Sequence, residues 1–227
     1  QFKKKNRKLP KSGFVAVKPN CSIQSYLIGI HALNEAGFEV KDVQVTTLQA
    51  LSGAGAKGIT NSVWRENVIP YIGGEEEKTE REPLKILGAI IGDEIKNYND
   101  LKISATCIRV PVIDGHSAVV HINFKEAMPS IEEIKNIWTN YSSEIDELKL
   151  PSAPHPAIIF DSVSDRPQVK ADVNNGKGMA VTFGRLQKDV FFDYKFIGLS
   201  HNTIRGAAGG AILMAELLTQ KGFIKHG

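Results

Sequence analysis

Residues 103–124 read ISATCIRVPVIDGHSAVVHINF, and the reading of this stretch decides the fold class. Two runs rich in β-branched residues, 103–112 and 117–124, flank Asp114-Gly115, as two strands separated by a turn would. A two-residue hairpin over Asp114-Gly115 would put Arg109 and His116 on one face, yet ~13 Å apart at ~3.3 Å per residue. It would also place Pro111 where a ladder N–H is wanted. Residues 110–116 are therefore expected to leave the ladder as an irregular loop that brings the two side chains together. Such a loop is costly unless it has a use.

Upstream, 14–18 (FVAVK) reads as a short strand stopped by Pro19-Asn20. A helix is predicted over 22–36: Ile23, Tyr26, Leu27, Ile30 and Leu33 recur at helical spacing, Asn20 can cap, and Gly37 sits where the chain would turn away. Residues 38–50 are β-rich and run into a glycine-rich loop, 52–58. After the acidic run 75–82, Pro83 is expected to open a helix continuing through Ile91. Downstream come an acidic amphipathic helix over 130–147, long loops over 151–178, a strand pair around 179–197 and a small-residue helix over 204–218. Strands with interspersed helices but no regular βαβ alternation predict an α+β fold with a mixed or antiparallel sheet.

At 227 residues the chain can bury a real core. It has no apolar run long enough to span a bilayer and no signal-peptide core at its start. Two cysteines are too few for a disulfide framework and fit a reducing cytoplasm. Six of the 28 Lys and Arg residues lie in the first thirteen positions, which hold no acid; the remainder, with 22 basic and 25 acidic residues, carries −3. A basic run of this kind suits a nucleic-acid patch or a solvated linker. No basic stripe or aromatic platform continues into the body, so a linker and no nucleic-acid partner are expected.

Cys21 falls at the predicted helix start, where exposed N–H groups and the positive dipole end would stabilise a thiolate or hold an anion. A buried inert cysteine is the competing reading, and Cys107 is expected to be that. A thiol nucleophile needs a base, for which Arg109 and His116 supply the setting. Residues 53–58 match G-x-G-x-x-G, but no helix convincingly opens from them and no βαβ unit surrounds them. A loop allowing close backbone approach to a ligand is the better reading.

Five segments, in order from 18 to 209, together resemble the aspartate-β-semialdehyde dehydrogenase family in its archaeal and fungal branch. They are KPNCS (18–22, with Lys18 where the family usually has Asn), QALSGAG (49–55), IPYIGGEEEK (69–78) with Glu82 and Lys85, RVPVIDGH (109–116) and NTIRGAAG (202–209). The resemblance implies that Cys21 attacks a carbonyl to give a thiohemiacetal and then an acyl-thioester, with His116 as general acid/base. It implies that Gln49 orients the substrate, Arg109 grips its α-carboxylate as a bidentate fork, Glu82 meets its amine and Lys85 its phosphate. Asn20, Ser52, Gly53 and Asn202 would line the phosphate or cofactor sites. The family reaction is NADPH-dependent reductive dephosphorylation of β-aspartyl phosphate, feeding lysine, threonine and methionine synthesis, with no metal.

The implied fold is the glyceraldehyde-3-phosphate-dehydrogenase-like C-terminal domain: a mixed sheet with helices on one face and a homodimer, or a tetramer, built through the other. The thirteen residues before Phe14 are too few to be the family's Rossmann domain. The expected division is thus 1–13 as a basic linker from a nucleotide-binding domain, 14–203 as the catalytic and dimerisation domain, and 204–227 as a helix that packs on that nucleotide-binding domain. The chain alone is then expected to lack dehydrogenase activity and NADP affinity, with 204–218 frayed, re-docked or covered. The rival readings are another acyl-thioester-forming reductase, such as a malonyl-CoA reductase, and a non-catalytic dimerisation module.

Overall fold

The computed structural model describes residues 13–224, so the basic arm lies outside the described residues. Among the described residues eight strands form: β1 Val40–Gln49, β2 Ala89–Ile91, β3 Glu94–Lys96, β4 Lys102–Arg109, β5 His116–Phe124, β6 Ile158–Asp161, β7 Val181–Lys188 and β8 Tyr194–Ser200. The α-helices are α1 Leu27–Glu35, α2 Ala56–Thr60, α3 Glu75–Ile86, α4 Ile131–Thr139, α5 Glu144–Glu147, α6 Val169–Asp172 and α7 Gly209–Gln220. Six strands make one sheet in the order β4-β1-β5-β8-β7-β6. Its two outer pairs are parallel and its inner pairs antiparallel, so the sheet is mixed, in an α+β fold as expected. No helix of the described residues is long and apolar enough to cross a membrane.

Alternation along the strands explains which face is covered. Val43, Val45 and Thr47 of β1 stand opposite Ile122, Val120 and Ala118 of β5, and all six are buried. Onto this face pack α1, the short turn Ser22–Ser25 before it, and Ile134 and Trp138 of α4. The approach is close: a Cβ on Gly198 of β8 would sit 1.9 Å from Ser25 O, so only glycine fits there. On the reverse face Thr46, Leu48, Val119 and Ile197 are half-buried.

The acidic run 75–82 belongs to α3 itself. Gly74 (φ 73°) turns the chain, three glutamates occupy the first turn at the positive end of the helix dipole, and Pro83 lies inside the helix. Proline removes the N–H that would bond Thr79 O, and the Tyr26 hydroxyl donates to that carbonyl instead, at 3.2 Å. The helix ends at Ile86, and Ile90 and Ile91 lie in the β2–β3 hairpin. One stripe of α3 covers the open edge of β4: Glu80 accepts from Ala105 N at 3.0 Å and Glu76 from Cys107 N at 3.1 Å. Arg109 N donates to Ile69 O at 2.8 Å. The outward amides of an edge strand are thereby satisfied without a further strand.

Other expectations change in detail. Residues 14–18 form no ladder, and Val15 and Val17 are exposed. The helix predicted over 22–36 breaks at Tyr26 (φ −142°) into a four-residue 3-10 turn and α1. The one predicted over 130–147 is two helices, α4 opening with a Ser130/Glu133 capping box. The 151–178 loops contain β6 and α6. The C-terminal helix forms, with a π turn over Ile204–Ala208 before α7. Ala207, Ala208, Ala211, Ile212 and Ala215 are exposed along it.

Candidate active site

The site lies where three strand ends and the first helical turn converge. Gln49 and Arg109 are partners at the ends of β1 and β4, and His116 begins β5. These strand ends bring Gln49, Arg109 and His116 beneath Cys21, which precedes the 3-10 turn. Residues 110–115 do leave the ladder. β4 and β5 are separated by β1 rather than paired, and the loop is held by Leu51 N on Val112 O and Ser52 N on Ile113 O. Asn202 fastens its end, accepting from Gly115 N at 2.7 Å and donating to Ser52 Oγ at 2.8 Å.

Cys21 Sγ lies 3.5 Å from His116 Nε2. The other ring nitrogen, Nδ1, accepts from Ala50 N at 3.0 Å. A nitrogen that accepts a backbone N–H carries no proton itself, so in the neutral ring the hydrogen sits on Nε2 and points toward the sulfur. Arg109, 5% exposed, donates from Nη1 to Ala50 O at 2.8 Å and lies 5.9 Å from the Trp64 ring. The backbone of Ala50 thus positions both side chains. A Cβ on Gly53 would fall 2.9 Å from Arg109 Nη1 and 3.1 Å from His116 Nε2, and one on Gly206 would fall 2.8 Å from Cys21 Cβ. The two glycines keep open the space around the thiol.

Glu75 closes the other side. It accepts from Asn20 Nδ2 at 3.0 Å, Gln49 Nε2 at 3.3 Å and Lys78 Nζ at 3.1 Å. Burial pushes its pKa up, but these hydrogen bonds outweigh that and hold the carboxyl below its usual range. Two turns along α3, Glu82 accepts from Asn20 N at 2.6 Å. It therefore anchors the loop that carries Cys21, while Lys85 is exposed. Among the described residues, the carboxylate–lysine pair next to Gln49 and Asn20 is Glu75–Lys78, where the sequence resemblance implies Glu82 and Lys85. The signal for it was Gly73-Gly74 followed by three glutamates, a helix start hidden by the reading of Pro83 as one.

Residues 30–205 match the family described as semialdehyde dehydrogenase, dimerisation domain. The chain belongs to that family. It is 40% identical over 228 residues to the aspartate-semialdehyde dehydrogenase of Schizosaccharomyces pombe, covering 99% of this chain and 63% of that protein. It is 42% identical to that of Archaeoglobus fulgidus, covering 99% and 62%. Among solved structures, the Candida albicans aspartate semialdehyde dehydrogenase with NADP superposes with a TM-score of 0.84 at 38% identity, over 93% of this chain and 59% of that one. The chain thus spans about three-fifths of the length of the relatives it matches.

Within this family member the thiol's electrostatics differ from the sequence expectation. Burial and then the Glu75 charge raise the Cys21 pKa, against Lys18 and Arg109, which lower it. The helix-start argument fails for a local reason. The following helix has only four residues, and the Ser22 amide that would face an anion is already donated to Asn20 Oδ1 at 2.7 Å. Glu75→Gln is therefore expected to lower the thiol pKa and speed iodoacetamide labelling of Cys21 near neutral pH by roughly three- to tenfold. A pH–rate profile of labelling, read by peptide mass spectrometry, checks this; an unchanged or slower rate would refute it. Cys107, fully buried on β4, should stay unlabelled.

His116 stays neutral far below the pH at which a surface histidine takes up a proton. Burial and then Arg109 lower its pKa to about 3. Unfolded histidine binds a proton below pH ~6.5, while the folded ring stays neutral until about pH 3. The stability from keeping it neutral is complete above pH ~6.5 and drains as pH falls from there toward 3, by about 5 kcal/mol at most. Urea melts at pH 7 and pH 4.5 should show a loss that His116→Gln reduces; equal losses in both proteins would remove His116 from the account.

Proposed function

We propose that this chain carries the acyl-transfer site of an aspartate-β-semialdehyde dehydrogenase. The observation behind the reading is the Cys21–His116 pair at 3.5 Å, flanked by a guanidinium on one side and an ionised carboxylate on the other. Arg109 and Glu75 are complementary to the α-carboxylate and α-ammonium of an aspartyl substrate, which orients its β-carbonyl between them over the thiol. The Cys21 thiolate attacks the carbonyl carbon of β-aspartyl phosphate. His116 Nε2–H donates to the oxygen on which negative charge develops. Collapse expels inorganic phosphate and leaves an aspartyl thioester on Sγ. With its hydrogen placed on Nε2 and the ring neutral, His116 serves as a hydrogen-bond donor, and the thiol proton leaves to solvent before attack.

The cradle left open by Gly53 and Gly206 beside the thiol suits a flat ring, and NADP(H), when bound, supplies or removes hydride at the carbon held by Cys21. Gln49 and Asn20 hold Glu75 in place, and Ser52 and Asn202 hold the 110–115 loop. The half-buried reverse face of the sheet is proposed as the homodimer surface, consistent with the family's description. Acylation requires no cofactor, so it tests the reading on this chain. β-Aspartyl phosphate should add one aspartyl group to Cys21, removable by hydroxylamine. Glu75→Gln, despite its faster iodoacetamide labelling, should acylate more slowly. Absence of any adduct on a folded, alkylatable Cys21 would sink the proposal.

A further inference from the structure

We infer that the cavity between α1, α5 and α7 binds a small zwitterion, an α-amino acid with an apolar side chain, whose carboxylate docks on Arg205. The cavity holds about 300 Å³ and is separate from the thiol site. Arg205 reaches it from the π turn before α7. Its Nη1 donates to Met179 O, but its Nε is buried with no acceptor. Among the described residues Glu144 pairs with Lys221, while His31 lies beside Glu35 and His155 beside Asp146; Arg205 joins no ion pair among them. The side chain is half-buried; a guanidinium does not lose its proton there, and partial burial without a counter-charge is unfavourable. Even with burial lowering its pKa to about 10 it stays cationic at neutral pH. Such a group facing a cavity is complementary to an anion.

A bare anion does not fit the rest of the lining. Glu35, Glu144 and Asp146 border the same space, and the Tyr141 hydroxyl feels Glu35, Asp146 and Arg205 together. Charges of both signs therefore converge within one small volume. A ligand with a carboxylate and an ammonium satisfies both, whereas a simple carboxylate would meet three acids. Ile28, Leu213 and Leu217 supply an apolar wall for a side chain. Occupancy has a route to the thiol: Gly206, adjacent to Arg205, is the residue whose absent Cβ would touch Cys21.

Calorimetric titration of the chain with L-leucine, isocaproate (no ammonium) and isoamylamine (no carboxylate) tests this. L-leucine should bind, with each half-ligand weaker by about tenfold or more. Arg205→Met should abolish binding. Leu213→Trp, which fills the cavity and leaves Arg205 in place, should do the same if Arg205→Met fails to fold. Methyl signals of Ile28, Leu213 and Leu217 should shift in NMR spectra, and binding should survive carboxymethylation of Cys21. Isocaproate binding as tightly as L-leucine, no binding of L-leucine, or binding lost on Cys21 carboxymethylation would each overturn the assignment. The last would place the ligand in the thiol site and leave the proposed acyl transfer intact.

Discussion

Cys21→Ser is expected to slow acylation by β-aspartyl phosphate roughly 10⁴-fold or more, with the fold unchanged. A hydroxyl in the place of Sγ is a far weaker nucleophile, and nothing at this site compensates. The neighbouring imidazole carries its hydrogen on the nitrogen facing Cys21, because Ala50 N donates to the other one. It is thus placed to assist an anion that has already formed, not to generate one from a serine. Intact-mass measurement of the adduct, with circular dichroism to confirm folding, checks the result. A serine variant acylated at more than about a hundredth of the parent rate would show that the pair is not a nucleophile and donor.

The second large effect lies in the core. Trp138→Ala is expected to cost about 3–5 kcal/mol of folding stability. The indole is fully buried, with ring centroids 4.6 Å from Phe183 and 5.0 Å from Phe196, and its N–H donates to Gly29 O at 3.1 Å. Its removal opens a large void and also strips a buried carbonyl of its partner. Because Gly29 lies in α1, the indole fixes that helix on the sheet: a Cβ at Gly29 would stand 2.7 Å from the Phe183 ring. Urea denaturation monitored by circular dichroism reads the loss, and a cost below about 1 kcal/mol would contradict this account of the core.

Strands were legible in the sequence wherever one face is buried and the other is not. β1 and β5 alternate residue by residue, and period-2 burial writes itself into side-chain chemistry. β6 was lost among loops because its four residues do not alternate, and a parallel partner twenty-odd positions away leaves no local trace. Cys21, Arg109 and His116 were identifiable because each sits in a short motif and the 110–116 loop was visibly at odds with a hairpin. Glu75 was not singled out. Proline at a helix start is the stronger prior, and only the tertiary bond from Tyr26 to Thr79 O makes a proline in the middle of α3 acceptable. Likewise, the thiol's raised pKa depends first on its burial and then on which carboxylate faces the sulfur. Neither is encoded in the immediate neighbours of Cys21.

The glutamates of α3 that satisfy the outer amides of β4 have a consequence for how molecules of this kind fail. An uncovered edge strand is a template for chain-to-chain pairing and fibril growth. Here an invading strand could reach Ala105 and Cys107 only by evicting Glu80 and Glu76, and with them the helix that delivers Glu75 to the thiol. Aggregation along this edge and an assembled candidate site therefore compete. A ligand that secures Glu75 would also act as an inhibitor of polymerisation.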